Sequence, residues 1–182
     1  AFYTGAYSMM SLLREDEEGT LARLFATPTG RIGILAGKLL AVILSVLVQG
    51  LVLMLAAHFA FGVDWGQPAT VGLTLIGQVA AASGLGVLLI AFVKTTRQAG
   101  PVLGGGLTVL GMLGGLFSGA VAMPEAFTRL AEFTPQGWVM KAWKLALEGQ
   151  PPTEVLVPCL VLVVLGVVFF ATGAWRIQRR FA

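Results

Sequence analysis

The side chains that could carry chemistry are few. His58 is the sole histidine and Cys159 the sole cysteine among 182 residues, so the chain cannot build a two-histidine metal site, a histidine-based triad or an internal disulfide. Gly37-Lys38 has the ending of a phosphate loop. That motif needs a glycine five residues before the Gly-Lys pair and a hydroxyl after it, whereas positions 32 and 39 are Ile and Leu. No nucleotide site, catalytic residue or resident metal is therefore expected. What remains is a run of carboxylates, Glu15-Asp16-Glu17-Glu18, between apolar segments.

The elements around these residues belong to a membrane protein. The chain is 57% hydrophobic and only 12% charged, with mean hydropathy +0.86, against about a quarter charged in ordinary soluble domains. Charge-free intervals run over 39–63, 65–93, 98–124 and 155–175, each long enough for the about 20 residues that cross a bilayer as a helix. The expected fold is an all-α integral membrane bundle forming a single domain over 1–182. It has four full spans at 39–61, 69–93, 99–120 and 155–175 and a partial one at 1–13. With Ala1 in place of an initiator Met, the chain reads as N-terminally truncated.

Lys and Arg divide into two sets. Arg14, Arg23, Arg31, Lys38, Lys94, Arg97, Arg176, Arg179 and Arg180 lie on one side of the predicted spans, and Arg129, Lys141 and Lys144 on the other. The positive-inside rule makes the first set cytoplasmic and puts the C-terminus there too, as expected of a multi-pass protein of a bacterial inner membrane. Trp65, Trp138, Trp143 and Trp175 fall at span ends or in the outer loop, where an amphipathic ring is comfortable. The basic residues form no single patch, so nucleic acid is not a partner, although the pI is about 9.4. Gly111, Gly115 and Gly119 recur every four residues and are read as a helix-packing stripe, with Gly100 and Gly104 repeating the spacing.

Two polar segments interrupt the pattern. In the cytoplasmic elbow, 14–31, Leu21, Leu24 and Phe25 lie at i, i+3, i+4 spacing, four carboxylates crowd what reads as the first helical turn, and Pro28 ends it. An acidic start suits docking into a protein groove better than lying on anionic lipid. The outer segment, 123–154, reads as two short interfacial helices broken at Thr134-Pro135, either an ordered cap on the bundle or a gate.

Span interiors contain no Asp, Glu, Lys or Arg. Their main polar side chains are Gln49 and Gln78 plus a few hydroxyls. Proton-coupled transporters and intramembrane enzymes place ionisable groups at depth. Without them, energy for uphill transport must enter from outside the bilayer, and the acidic elbow is the natural port. The alternative is an ATP-independent channel or ion-gradient-driven carrier, favoured if the protein moved solute without any ATPase.

These residues resemble the permeases of the ABC-2 transporter family. Glu17-Glu18-Gly19-Thr20-Leu21, Arg23-Leu24 and Ala26-Thr27-Pro28, followed by Arg31 and Gly37-Lys38-Leu39, look like its cytoplasmic signature. Lys94-Thr95-Thr96-Arg97-Gln98 is similar to its next cytoplasmic turn, and Met123-Pro124 and Phe133-Thr134-Pro135 with Trp138 to its outer re-entrant helices. Asp16 departs from the pattern, which often has a basic residue there, and the first helix and a half of six spans are missing.

The resemblance implies a non-enzymatic membrane subunit of an ATP-driven exporter; apolar walls with few hydrogen-bonding groups suit a lipid-like or drug-like solute, while the family also handles polysaccharides, haem-related cargo and ions. The subunit would form the solute path with a second copy or paralogue in membrane lipid, and a cytoplasmic ABC ATPase would bind the ATP and Mg. Glu17, Glu18, Gly19, Thr20, Leu21, Arg23, Leu24, Phe25, Thr27 and Pro28 would form the coupling helix and its elbow. Leu21, Leu24 and Phe25 would be its seated face and Glu17 and Glu18 its polar contacts. Met123, Pro124, Pro135 and Trp138 would belong to the outer gate.

Overall fold

The computed structural model describes residues 1–20, 31–115 and 129–180. Seven helices carry these residues: α1 (Phe2–Ser8), α2 (Met10–Glu17), α3 (Arg31–Phe61), α4 (Pro68–Phe92), α5 (Thr96–Leu113), α6 (Pro135–Leu147) and α7 (Pro152–Arg180). Among the described residues three stretches are long and apolar enough to cross a membrane: Ala36–Phe61, Pro68–Phe92 and Pro152–Ile177.

α4 is the central helix. Inside the protein 67% of its apolar stretch is buried, against 17% for α3 and 28% for α7, and it packs on α1, α3, α6 and α7. Pro68 starts it at a first-turn position where the missing N–H costs nothing. By contrast α3 turns Leu40, Leu44, Leu51, Leu55 and Phe59 outward. A continuous apolar wall of this kind is untenable in water and is the normal surface of a helix facing lipid.

Between α4 and α7 the backbones nearly touch. A Cβ on Gly84 would lie 2.1 Å from the Gly166 carbonyl oxygen, one on Gly166 2.5 Å from that of Ala80, and one on Gly173 2.9 Å from Leu88 backbone. Gly77 meets Cys159 in the same way, at 2.9 Å from its Sγ. Contacts advance together along both helices, so the pair is parallel. The seven-residue steps from Gly77 to Gly84 and from Gly166 to Gly173 hold the small residues on one seam. On the other flank α1 lies against α4, where a Cβ on Gly86 would come within 2.7 Å of Gly5.

The glycine stripe expected in α5 is not the tight seam. Gly111 is buried, but Gly115 has φ +82° and belongs to the turn after the helix, and Gly119 lies outside the described residues. A Cβ on Gly100 would meet nothing within 4 Å. The Gly114-Gly115 turn also sets the end of α5. The span expected over 99–120 is a helix from Thr96 to Leu113, about 27 Å long at 1.5 Å per residue. Beginning Thr96-Arg97-Gln98 and containing five glycines, it is not among the three apolar stretches.

α3 begins at Arg31 rather than near residue 39. Lys38 does not stop it, because its ammonium is met by Glu15 at 2.7 Å. Gly37 and Lys38 therefore sit within a helix and form no loop.

Candidate functional site

The carboxylate run belongs to α2. Glu15, Asp16 and Glu17 occupy that helix's last turn, with Glu18 bonding back to the Arg14 carbonyl at 2.9 Å. They had been expected in the first turn of a following helix, where the dipole welcomes them. At a C-terminus the dipole repels them, and the structure offsets this with partners from two other helices.

Glu15 pairs with Lys38 of α3 at 2.7 Å, with the two side chains 32% and 16% exposed. Glu17 turns to α5. Its Oε1 accepts from the Thr96 backbone N–H at 2.8 Å and its Oε2 from the Thr96 hydroxyl at 2.6 Å. Thr96 opens α5, and the preceding Thr95 caps the helix by accepting from Gln98 N–H at 3.3 Å. One carboxylate and one hydroxyl thus satisfy two of the backbone donors left over at the α5 N-terminus. The hydroxyl and N–H of Thr96 hold the Glu17 carboxyl below the usual glutamate range.

After Glu18 comes a turn at Gly19, whose φ of +69° suits glycine, and the Thr20 hydroxyl bonds the Glu15 carbonyl at 3.1 Å. A cleft of about 460 Å³ opens beside this turn, lined by Ser8, Ser11, Glu15, Thr20 and Lys38. Leu21, Arg23, Leu24, Phe25, Thr27 and Pro28 lie outside the described residues. Of the predicted coupling set, Glu17, Glu18, Gly19 and Thr20 are brought together here. Arg176 stacks on Phe92 at 4.2 Å near the same end, so α2, α3, α4, α5 and α7 all bring polar or basic termini to it.

At the opposite end Thr134 caps α6 by accepting from Gly137 N–H at 3.1 Å, and Pro135 fills the first helical position. Trp138 donates to the Glu132 carbonyl at 2.7 Å and carries Lys141 over its ring. Val139, Ala142 and Ala146 face inward, while Trp143 meets Trp65 edge-on at 5.3 Å and donates its ring N–H to Gln78 of α4. The predicted gate residues Pro135 and Trp138 are thus at the start of a helix docked on the bundle. Met123 and Pro124 lie outside the described residues.

The two glutamines within the spans tie helices together. Gln49 of α3 accepts from the Thr4 hydroxyl of α1 and Gln78 of α4 from Trp143 of α6, while His58 pairs locally with the Val63 carbonyl just past its own helix at 2.9 Å. The Tyr3 hydroxyl, which sequence reasoning passed over, joins α1 to α5 through Thr108 and the Gly104 carbonyl, the latter at 3.1 Å.

The sequence matches the family described as ABC-2 family transporter protein over residues 1–175. It is similar to the linearmycin resistance permease protein LnrN of Bacillus subtilis (strain 168), with 28% identity over 166 residues covering 90% of this chain and 43% of the relative. The chain thus spans less than half the length of that relative. No solved structure matches it. A lipid-facing helical bundle carrying this sequence over nearly its whole length belongs to the ABC-2 family of transporter membrane proteins.

Proposed function

We propose that the chain is the permease part of an ATP-driven exporter, working as a dimer, with the carboxylate end facing the cytoplasm of a bacterial cell and receiving its drive from a separate ABC ATPase. The observation that carries this reading is the wiring of the elbow. Two carboxylates two residues apart bind two different helices, Glu15 to Lys38 within α3 and Glu17 to the start of α5. A push on the segment that follows is therefore delivered to both at once.

Orientation rests on charge. Arg14, Lys38, Lys94, Arg97, Arg176 and Arg179 gather at the end that carries the elbow, and Arg129, Lys141 and Lys144 belong to the other. ATP binding on the partner would favour one of two arrangements of the permease pair, a shift that requires the elbow to be held differently in each. The similar permease is named for linearmycin resistance, which together with the apolar helix faces supports outward movement of a toxic or lipid-like solute. Between residues 39 and 61, 65 and 92, and 155 and 175 no side chain is Asp, Glu, Lys or Arg, and the one histidine, His58, sits near the end of its span, so these stretches hold no chain of ionisable groups of the kind that relays protons at depth.

The test is Leu21→Asp with Leu24→Asp in the full-length protein, reconstituted with its ATPase. Loss of ATPase association and of transport, by about tenfold or more for charge introduced at two apolar positions of a docking face, is expected. Unchanged transport and ATPase stimulation would remove the elbow from the mechanism.

A further inference from the structure

The resemblance assigns Glu17 and Glu18 a common duty as polar contacts for the ATPase, and the geometry separates them. Glu18 is exposed and its side chain has no partner among the described residues. Both oxygens of Glu17 are already committed, to the backbone and hydroxyl of one residue 79 positions away in sequence. We propose that Glu17 is a positioning residue that fastens the elbow to the N-terminus of α5 and makes that helix move with it.

The attachment has the properties of a strut. The two bonds run from two different oxygens to two donors on one residue, so the carboxylate is fixed in orientation as well as in distance. The donors sit at the first position of α5, where the positive end of the helix dipole adds to the attraction for an anion. Glu17 is the last residue of α2, and the turn at Gly19 follows two residues later. The strut therefore lies where the rigid helix meets the turn and a displacement of the elbow is first felt. Higher up, α1 holds the same helix through Tyr3 to Gly104 and Thr108. Glu17 is thus the lower of two attachments between the α1–α2 arm and α5, and the one next to the elbow.

This inference rests on the reading of the elbow as the ATPase contact, and the experiment keeps the two apart. The full-length permease with its ATPase in proteoliposomes is compared with Glu17→Ala, Thr96→Val, Thr96→Ser and Glu18→Ala, measuring ATPase association, ATP hydrolysis and solute moved per ATP. Glu17→Ala is expected to keep the ATPase bound and hydrolysing while solute moved per ATP falls about fivefold, the scale of a charge-assisted bond discounted for exposure. Thr96→Val, which removes the hydroxyl but not the N–H, should fall by a smaller factor, and Thr96→Ser should restore the wild-type ratio. Glu18→Ala should instead weaken ATPase association.

A wild-type ratio in Glu17→Ala overturns the strut. So does loss of ATPase association in that variant, which would make Glu17 a direct contact. Should Glu17→Ala not assemble, the Val and Ser variants of Thr96 decide alone: equal ratios for both overturn the proposal. If the wild-type protein itself binds no ATPase, the functional reading fails, independently of how Glu17 behaves.

Discussion

Glu17 and Glu18 are adjacent, exposed and carry the same charge, yet one is committed to another helix and the side chain of the other has no partner among the described residues. Nothing local in the sequence distinguishes them, because the partner that separates them is Thr96, far along the chain. Glycines pose the same problem. The stripe at Gly111 and Gly115 is visible as a four-residue spacing, while the close approach of two spans falls on Gly84 and Gly166, whose seven-residue relation to Gly77 and Gly173 spans two helices that only the fold brings together. The contrast is measurable. Gly84→Ala places a methyl 2.1 Å from a backbone oxygen, which no side-chain rotation relieves, and should destabilise the purified protein by about 3 kcal/mol, at the upper end of overpacking. Gly100→Ala enters open space in a helix and should stabilise by about 0.5–1 kcal/mol. Thermal unfolding of the two variants in the same detergent gives the sign of each.

Helices were legible where apolar runs met clear stops. α4 was expected at 69–93 and runs Pro68–Phe92, since Pro68 begins it and Lys94 follows its end. α7 was expected at 155–175 and extends at both ends, into Glu154, which its N-terminal dipole favours, and into basic residues favoured at its C-terminus. Two departures share one cause, charged residues read as boundaries: Lys38 lies within α3 and does not precede it, and the carboxylate run ends α2 and does not start a helix. In both cases the charge is tolerated because a partner from another element meets it, at 2.7 Å between Lys38 and Glu15. Reversing one charge should therefore cost more than an exposed pair does. Glu15→Lys alone is expected to lower stability by about 1–2 kcal/mol, and Glu15→Lys with Lys38→Glu to recover most of it. Thermal unfolding of the two single variants and the double variant completes the cycle, and full additivity would show that the pair contributes nothing.

Seen from end to end, the bundle separates its tasks. The spans supply packing: a glycine seam between α4 and α7, glutamine ties from α1 and α6, and an apolar wall on α3. Groups able to answer a partner sit at one end, where α2, α3 and α5 are joined by Glu15 and Glu17. The other end is closed by α6, with Trp143 and Trp65 in contact. Class, helical architecture and family were readable from composition, charge spacing and the elbow motif, because hydrophobic length and charge placement act locally along the chain. The joining of helices through the elbow was not, because it depends on which helix ends meet. If work enters only at that end, uphill movement must depend on the nucleotide-hydrolysing partner. The most direct measurement is solute accumulation against a gradient in liposomes holding the full-length protein, with the ATPase present or omitted and with a proton or sodium gradient imposed. Accumulation only with ATPase and ATP is the predicted result, and accumulation driven by the ion gradient with the ATPase omitted would contradict it.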